Sequence, residues 1–297
     1  MKKQAFHGLV ACVLSMALLS ACEKMVVSED GGSCGKGGSK GNVVLRVSPF
    51  EQKPFDAPTR GDVNDYCTKL CFHIYDAEGT RIEYVNQKQE TEGFGTASFS
   101  LPEGHYTLVV VGHSGSTNPS FSANEKVSIS GKDLGDTFWC CEQLEVGADE
   151  IEKNLVLHRI VSLLQFVPID TKPQNMNQMI ITYKGSRGTF SGLTGFGTTN
   201  VKQTVELNLT GNESQYEFYM IPPAQESTIS VTMDTKYVET NGRIHALTGK
   251  TIENIPVKRN CVTICRGALF DNDSSTKSVF ITVSIDENWD ETISWLF

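Results

Sequence analysis

After residue 22 the sequence has no run of 18 apolar residues, so no later segment is long enough to cross a bilayer as a helix. Helical periodicity beyond two turns is scarce, which excludes a helical bundle. Positive charge is short: 26 Lys and Arg stand against 35 Asp and Glu, a net charge of −9. Such a surface repels phosphate backbones, and nucleic acid is excluded as a partner. Histidine is thin, six residues scattered along the chain, and no nucleophile, base and acid stand in a defensible set. Catalysis is therefore not expected. The Gly-rich stretch 23–41 has no register for G-x-x-x-x-G-K-[ST], which excludes a P-loop there.

Metal-binding patterns are missing as well. Cys67, Cys71 and His73 come closest. On a strand, Cys71 and His73 lie about 7 Å apart and Cys67 about 13 Å from Cys71, too far for one tetrahedral zinc. Asp271 to Ser275 begins like a calcium loop, but Thr276 and Thr282 stand where Gly and Glu are required. No metal and no cofactor are expected. The acidic stretch Asp286 to Glu291 reads as a solvated turn, and Arg60-Gly61-Asp62 as a chance tripeptide.

What is present begins at the N-terminus. Lys2 and Lys3 precede an apolar stretch from Leu9 to Leu19 and the small residues Ser20 and Ala21, the composition of a secretory signal. Leu19-Ser20-Ala21-Cys22 matches the bacterial lipobox. In that likeness residues 1–21 are removed between Ala21 and Cys22, and Cys22 carries diacylglycerol and an amide-linked acyl chain such as palmitate. Each buried methylene contributes about 0.8 kcal/mol, so several chains on one residue hold a protein to a bilayer almost irreversibly. Residues 22–41, rich in Gly, Ser and charge, read as a lipidated tether.

From Asn42 onward the period is two. Strands are expected at 42–47, 69–75, 80–86, 97–101, 105–112, 125–130 and 137–146, with turns at Asp76 to Gly79 and Pro102 to Gly104. The apolar stretch 155–169 fits a long strand better than a helix, given its Val and Ile and the closing Pro168. Strands follow at 178–183, 202–209, 216–221, 228–234, 243–248, 254–270 and 279–285, with a loop at 184–200. The fold class is all-β: two sandwich domains, 42–170 and 171–297.

Of nine cysteines, Cys12 leaves with the signal and Cys22 is committed to lipid, which leaves an odd number. Vicinal Cys140 and Cys141 point to opposite sheet faces. The expected bridge joins one of Cys67 or Cys71 to one of Cys140 or Cys141; the alternative is reduced thiols packed as small hydrophobes.

The stretches Leu70-Cys-Phe-His-Ile-Tyr-Asp-Ala-Glu-Gly79, Leu101-Pro-Glu-Gly-His-Tyr-Thr-Leu108 and Leu157-His-Arg-Ile-Val161, in this order behind a lipobox, resemble the FimB-type fimbrial anchor lipoproteins of the Bacteroidales. The resemblance implies two tandem transthyretin-like β-sandwiches. It also implies a type V pilus anchor or accessory subunit, lipid-held at the outer membrane, whose partners are pilin subunits bound by strand addition. Stalk subunits that resemble this chain lose lipid and first strand by cleavage after an arginine, and Arg46 and Arg60 are the candidate sites here. The short C-terminus, ETISWLF, favours a terminal position in the filament. The alternatives are a released stalk or tip pilin, and a surface glycan-binding lipoprotein whose platforms would be Phe138-Trp139, Trp289 and Trp295.

Overall fold

The computed structural model describes residues 41–48, 63–122, 126–211, 213–238, 242–270 and 291–295. The signal, residues 22–40 of the tether, Arg60, and the residues of the calcium-like and acidic stretches up to Asp290 lie outside them, as does the strand expected at 279–285.

The first part of the chain carries β1 (Val43–Val47), a helical turn α1 (Val63–Tyr66), β2 (Lys69–Tyr75), β3 (Arg81–Lys88), β4 (Thr96–Phe99), β5 (Gly104–His113), β6 (Ser120–Phe121), β7 (Lys126–Ser128), β8 (Thr137–Val146), β9 (Ile151–Leu155) and β10 (His158–Arg159). The second carries β11 (Ser162–Pro168), β12 (Met176–Gly185), β13 (Thr189–Ser191), β14 (Val201–Asn208), β15 (Tyr216–Met220), β16 (Glu226–Val238), β17 (Ile244–Lys258), β18 (Cys261–Gly267) and β19 (Glu291–Trp295). The all-β class is what the chain adopts.

Two strands match their expected bounds, β2, which is buried on both faces, and β8, whose second half alternates between buried and exposed positions. They belong to the sheet β10-β8-β5-β2-β3, which faces the sheet β4-β1-β9. Val43, Leu45, Phe72, Val110 and Phe138 fill the space between. The β2–β3 turn forms where Asp76 predicted it: its Oδ1 accepts Glu78 N at 3.1 Å and Thr80 N at 2.7 Å, while Gly79 takes φ 77°.

Sheets β15-β11-β18-β19 and β14-β12-β16-β17 enclose a second core of Phe166, Met179, Ile181, Tyr183, Phe218 and Val231. Here β16 and β17 form one long hairpin, and β17 runs unbroken across 243–248 and the start of 254–270, which were expected as separate strands. It bends at bulges, one beside Asn254 at φ 57°, the other beside Gly249, where an added Cβ would stand 2.1 Å from Met233 O.

A third core joins the two. Tyr75, Val109 and Val111 from the outer face of the first sandwich meet Leu163, Val262 and Ile264 from the second. Between them lies a small sheet, β13-β7-β6, in which Thr189–Ser191 pairs with Lys126–Ser128. That strand sits inside the stretch expected as a loop.

The segment 155–169, expected as one strand, is three. Leu155 and Leu157 serve the first core, Ile160, Val161 and Leu163 the shared one, Leu164 and Phe166 the second. The chain crosses three sheets in fourteen residues and is mostly apolar because it lines three interiors in turn. The stretch 254–270 likewise breaks at Arg259 and Asn260, where Asn260 takes φ 56° in the turn just before β18.

Candidate functional site

The stretch that leads from the tether into the body is β1. It occupies the middle of its sheet, antiparallel to β4 and parallel to β9. Val43 and Leu45 are fully buried against the first core, and residues between them face outward. Burying two such side chains stabilises by roughly 2 to 3 kcal/mol each. Both ladder faces of the backbone are engaged, so β1 leaves only if two sets of hydrogen bonds and its core contacts are lost together.

The entry to β1 is fastened by its own chemistry. Asn42 Nδ2 donates to Leu101 O at 2.7 Å, and Leu101 N donates to Asn42 Oδ1 at 2.8 Å, a two-way amide clasp. Gly41 packs so tightly that a Cβ there would stand 2.3 Å from Phe99 O. At the far end, Val47 N donates to Gly95 O and Ser48 N to Leu155 O, both at 2.8 Å.

Arg46 is the one candidate processing residue among those described. It pairs across the ladders with Thr96 and Asn154, and its guanidinium is ion-paired to Glu152. Its side chain is 44 % exposed, yet its peptide bonds lie in an interior strand.

Among the described residues no disulfide forms. The bridge expected between Cys67 or Cys71 and Cys140 or Cys141 is not made. Cys71 pairs with Val111 and Cys141 with Val109, so β5 separates the two strands by two spacings, about 9.5 Å, beyond the reach of a disulfide. Burial pushes the Cys71 thiol up to about 12, and raises Cys67 and Cys140 further. Such thiols are poor nucleophiles and poor ligands. Cys67 Sγ instead packs where a Cβ on Gly112 would meet it at 2.8 Å.

His73 lies beside Cys71 on β2, its ring stacked on Phe121 with centroids 3.5 Å apart and on Tyr84 at 5.4 Å. Burial first, then the nearby Arg81 charge, lowers its pKa to about 3, so it is neutral. Among the described residues no group of three or more His, Cys, Asp or Glu side chains is placed to hold a metal.

The aromatic platforms are also placed. Phe138 is fully buried, and Trp139 donates to Gly192 O at 2.5 Å with its ring against the space over Gly195. Trp289 lies outside the described residues. Trp295 ends β19, parallel to β18.

Sequence reasoning missed Arg159. It is 3 % exposed, grips Asp136 with Nε and Nη2 at 2.6 and 2.8 Å, and donates to Asn260 Oδ1 at 3.0 Å. Asn260 N in turn donates to Val161 O. The motif Leu157 to Val161 contained this residue, but only the fold brings Asn260 to it from 101 positions away.

The model of a family described as "Family of unknown function (DUF6562)" matches residues 36–296. No curated protein matches the chain. Among solved structures, a candidate adhesin from Bacteroides ovatus is similar at 10% identity over 87% of this chain and 95% of that one, with a TM-score of 0.51. A fimbrial assembly protein from Parabacteroides distasonis is 12% identical over 86% and 98%, TM-score 0.47. The fimbrial anchor protein Mfa2 from Porphyromonas gingivalis is 12% identical over 69% and 81%, TM-score 0.37. At these identities the likeness concerns the fold, and the first of the three carries it.

Proposed function

We propose, from the premise that the chain belongs to the family of unknown function DUF6562, that it is a lipid-held fimbrial subunit of the anchor type at the outer membrane. Cys22 carries the acyl chains, and the body receives pilin subunits by strand addition. The role is structural and adhesive, without catalysis. The observation that carries this reading is the position of β1: the strand that continues the tether is interior, bonded on both sides. A pull on Cys22 is transmitted along β1 and shears two ladders at once, the arrangement a mooring requires.

The same geometry favours an anchor over a released stalk subunit. A protease that cuts after Arg46 must take the strand in extended form, and here its backbone is already committed to β4 and β9. The lipobox, the motif order and the fold shared with a candidate adhesin support the reading from separate directions. The glycan-binding alternative loses weight, since Phe138 and Trp139 belong to packed interiors.

Metabolic labelling with a fatty-acid analogue, followed by the mass of the mature N-terminus, tests it. A doubly modified Cys22 that disappears in Cys22→Ala is the expected result. A mature chain starting at Val47 or Gly61 would show a stalk subunit instead. Purification under mild denaturation should bring pilin ladders with the wild-type protein.

A further inference from the structure

Because β1 fills its own place between β4 and β9, a strand added to the first sandwich must use an edge that is open in the folded chain. Three edge strands of the molecule are guarded. β9 carries Glu152 and Lys153, ion-paired to Arg46 and Glu142. β14 sets Lys202 and Glu206 on exposed positions, and Arg187 donates to its Thr204 carbonyl. The register of β17 is broken twice along its pairing with β16. Charges, covering side chains and bulges are the means by which an edge escapes unwanted pairing.

β3 is different. It is the outermost strand of β10-β8-β5-β2-β3, and Arg81 to Tyr84 are all exposed. Ile82 and Tyr84 are 39% and 51% exposed, large side chains left uncovered on an edge. Among the described residues none outside the sheet bonds to the backbone of residues 81–86. Just inside this edge lies a cleft of about 310 Å³ lined by Asp76, Ile82, Glu83, Leu101, Pro102 and Tyr106. Ile74 pairs with Glu83 and Tyr75 with Arg81, so Ile82 is the extra residue of a bulge, and both Ile82 and Glu83 line the cleft. Tyr106 donates to Pro102 O at 2.9 Å on the far wall. Further along, Gln87 ties β3 to the start of β4: its Nε2 donates to Thr96 O at 2.7 Å and its Oε1 accepts Gly95 N at 2.9 Å. Glu83 forms no ion pair with a described residue. The apolar wall suits an aliphatic side chain, and the carboxylates of Asp76 and Glu83 suit a neighbouring cation.

We infer that the β3 edge, residues 81–86, is where this chain accepts an extended segment of another pilus subunit. The segment lies beside β3 as a further strand of that sheet, sets an apolar side chain into the cleft and pairs a Lys or Arg with Glu83. Main-chain bonds supply the hold, and the cleft fixes the register. On the opposite face Tyr84, stacked on His73 with centroids 5.4 Å apart, offers a flat ring to the next side chain of the segment. No strand of this chain is displaced, and β1 keeps both of its ladders while the partner is bound. The inference rests on the fimbrial reading and adds to it the edge that is used and the chemistry of the segment it takes.

Photo-crosslinking of the full chain in the cells that make it, read by peptide mass spectrometry, tests it. p-Benzoylphenylalanine replaces Tyr84 on β3 or, as a control, Val201 on the guarded β14, 57% exposed. The expected result is an adduct from position 84, at least tenfold above that from 201, with a pilus subunit whose linked peptide alternates apolar residues and carries a Lys or Arg. That adduct falls at least tenfold in Ile82→Lys, which sets a cation at the mouth of the cleft on an exposed position and leaves the thermal melt unchanged. Replacing the Lys or Arg of the linked peptide by Glu lowers it likewise, and Glu83→Lys then restores it. Equal adducts from both positions overturn the proposal, as does an adduct formed only with a second copy of this chain. Pilus subunits that copurify without any adduct from position 84 count against the β3 edge and spare the anchor reading. An acylated chain that brings no pilus subunit at all overturns both.

Discussion

The first and last strands of the chain make a useful contrast. β1 is interior, flanked by β4 and β9, with Val43 and Leu45 fully buried. Among the described residues β19 lies at the edge of its sheet, parallel to β18 and with one ladder to lose. Of the two, β1 has a described neighbour on each side and β19 on one side alone. The difference follows from order: a strand that must transmit load belongs where two neighbours share the shear, and an edge strand exposes the template to which another chain can pair.

The sharpest way to break the contrast is to weaken β1. Leu45→Ala is expected to cost about 2 to 5 kcal/mol, the range for a fully buried leucine whose site collapses only in part. Truncation before Glu291 is expected to cost less, because it removes one ladder at an edge. Urea denaturation of both variants checks the order. A truncation more damaging than Leu45→Ala would mean that the last strand, not the first, holds the body together.

The second test concerns what joins the two sandwiches. Arg159→Met removes the cation held by Asp136 and Asn260 while keeping much of its volume. Asp136 keeps some access to water, with a side chain 19% exposed, so the expected loss is about 2 to 3 kcal/mol, below that of a fully buried pair. If the shared core depends on this grip, unfolding should separate into two transitions, and a single unshifted transition would assign the coupling to the apolar contacts alone.

The shared core also marks the limit of what the sequence conveyed. The strands of the first sandwich were legible from their β-branched and aromatic content between turn residues, and in the second half of Thr137–Val146 from the alternation of buried and exposed positions, whereas Lys69–Tyr75 is buried on both faces. The turn at Asp76 was legible because its chemistry is local. The stretch 155–169 was not, since three interiors in succession erase any period. β13 was hidden in a Gly/Ser/Thr-rich segment because its three residues pair with β7 from the other half of the chain. Cys71 and Cys141 looked bridgeable until the strand order placed β5 between them. At the candidate site, Arg46 and the lipobox could be read from residue type, whereas the interior place of β1 required sheet order, which spacing does not encode.

The third prediction uses pH on the first sandwich. His73 is held neutral, its pKa lowered from 6.5 to about 3 by burial first and then by Arg81. The unfolded chain therefore binds a proton that the folded one refuses, and stability falls as the pH drops through 6.5 toward 3. Between pH 7 and pH 5 the loss is on the order of 2 kcal/mol. His73→Phe should flatten that dependence in thermal melts, and an unchanged slope would mean that the ring gains a proton without cost. The other histidine whose pKa burial lowers, His113, also belongs to the first sandwich, so among the described residues the effect should be confined there.

The smallest expected effect lies below that window and has another cause. Asp133 receives four hydrogen bonds: Ser116 N and Oγ, each at 2.8 Å, and Thr117 N and Oγ1 at 2.8 and 2.6 Å. Partial burial alone would raise its pKa, but these four donors outweigh it and hold the carboxylate well below the usual range. With a depressed folded pKa, the contribution is present above about 3.9 and is lost as the pH falls below it. The group is only partly buried, so solvent screening limits the contribution to about 1 kcal/mol or less. Asp133→Asn, which keeps one carbonyl acceptor, should therefore lower the melting temperature slightly at pH 6 and leave it unchanged near pH 2. A larger loss at pH 2 than at pH 6 would reverse the sign and show that the neutral acid, not the carboxylate, is what the loop 114–117 recognises.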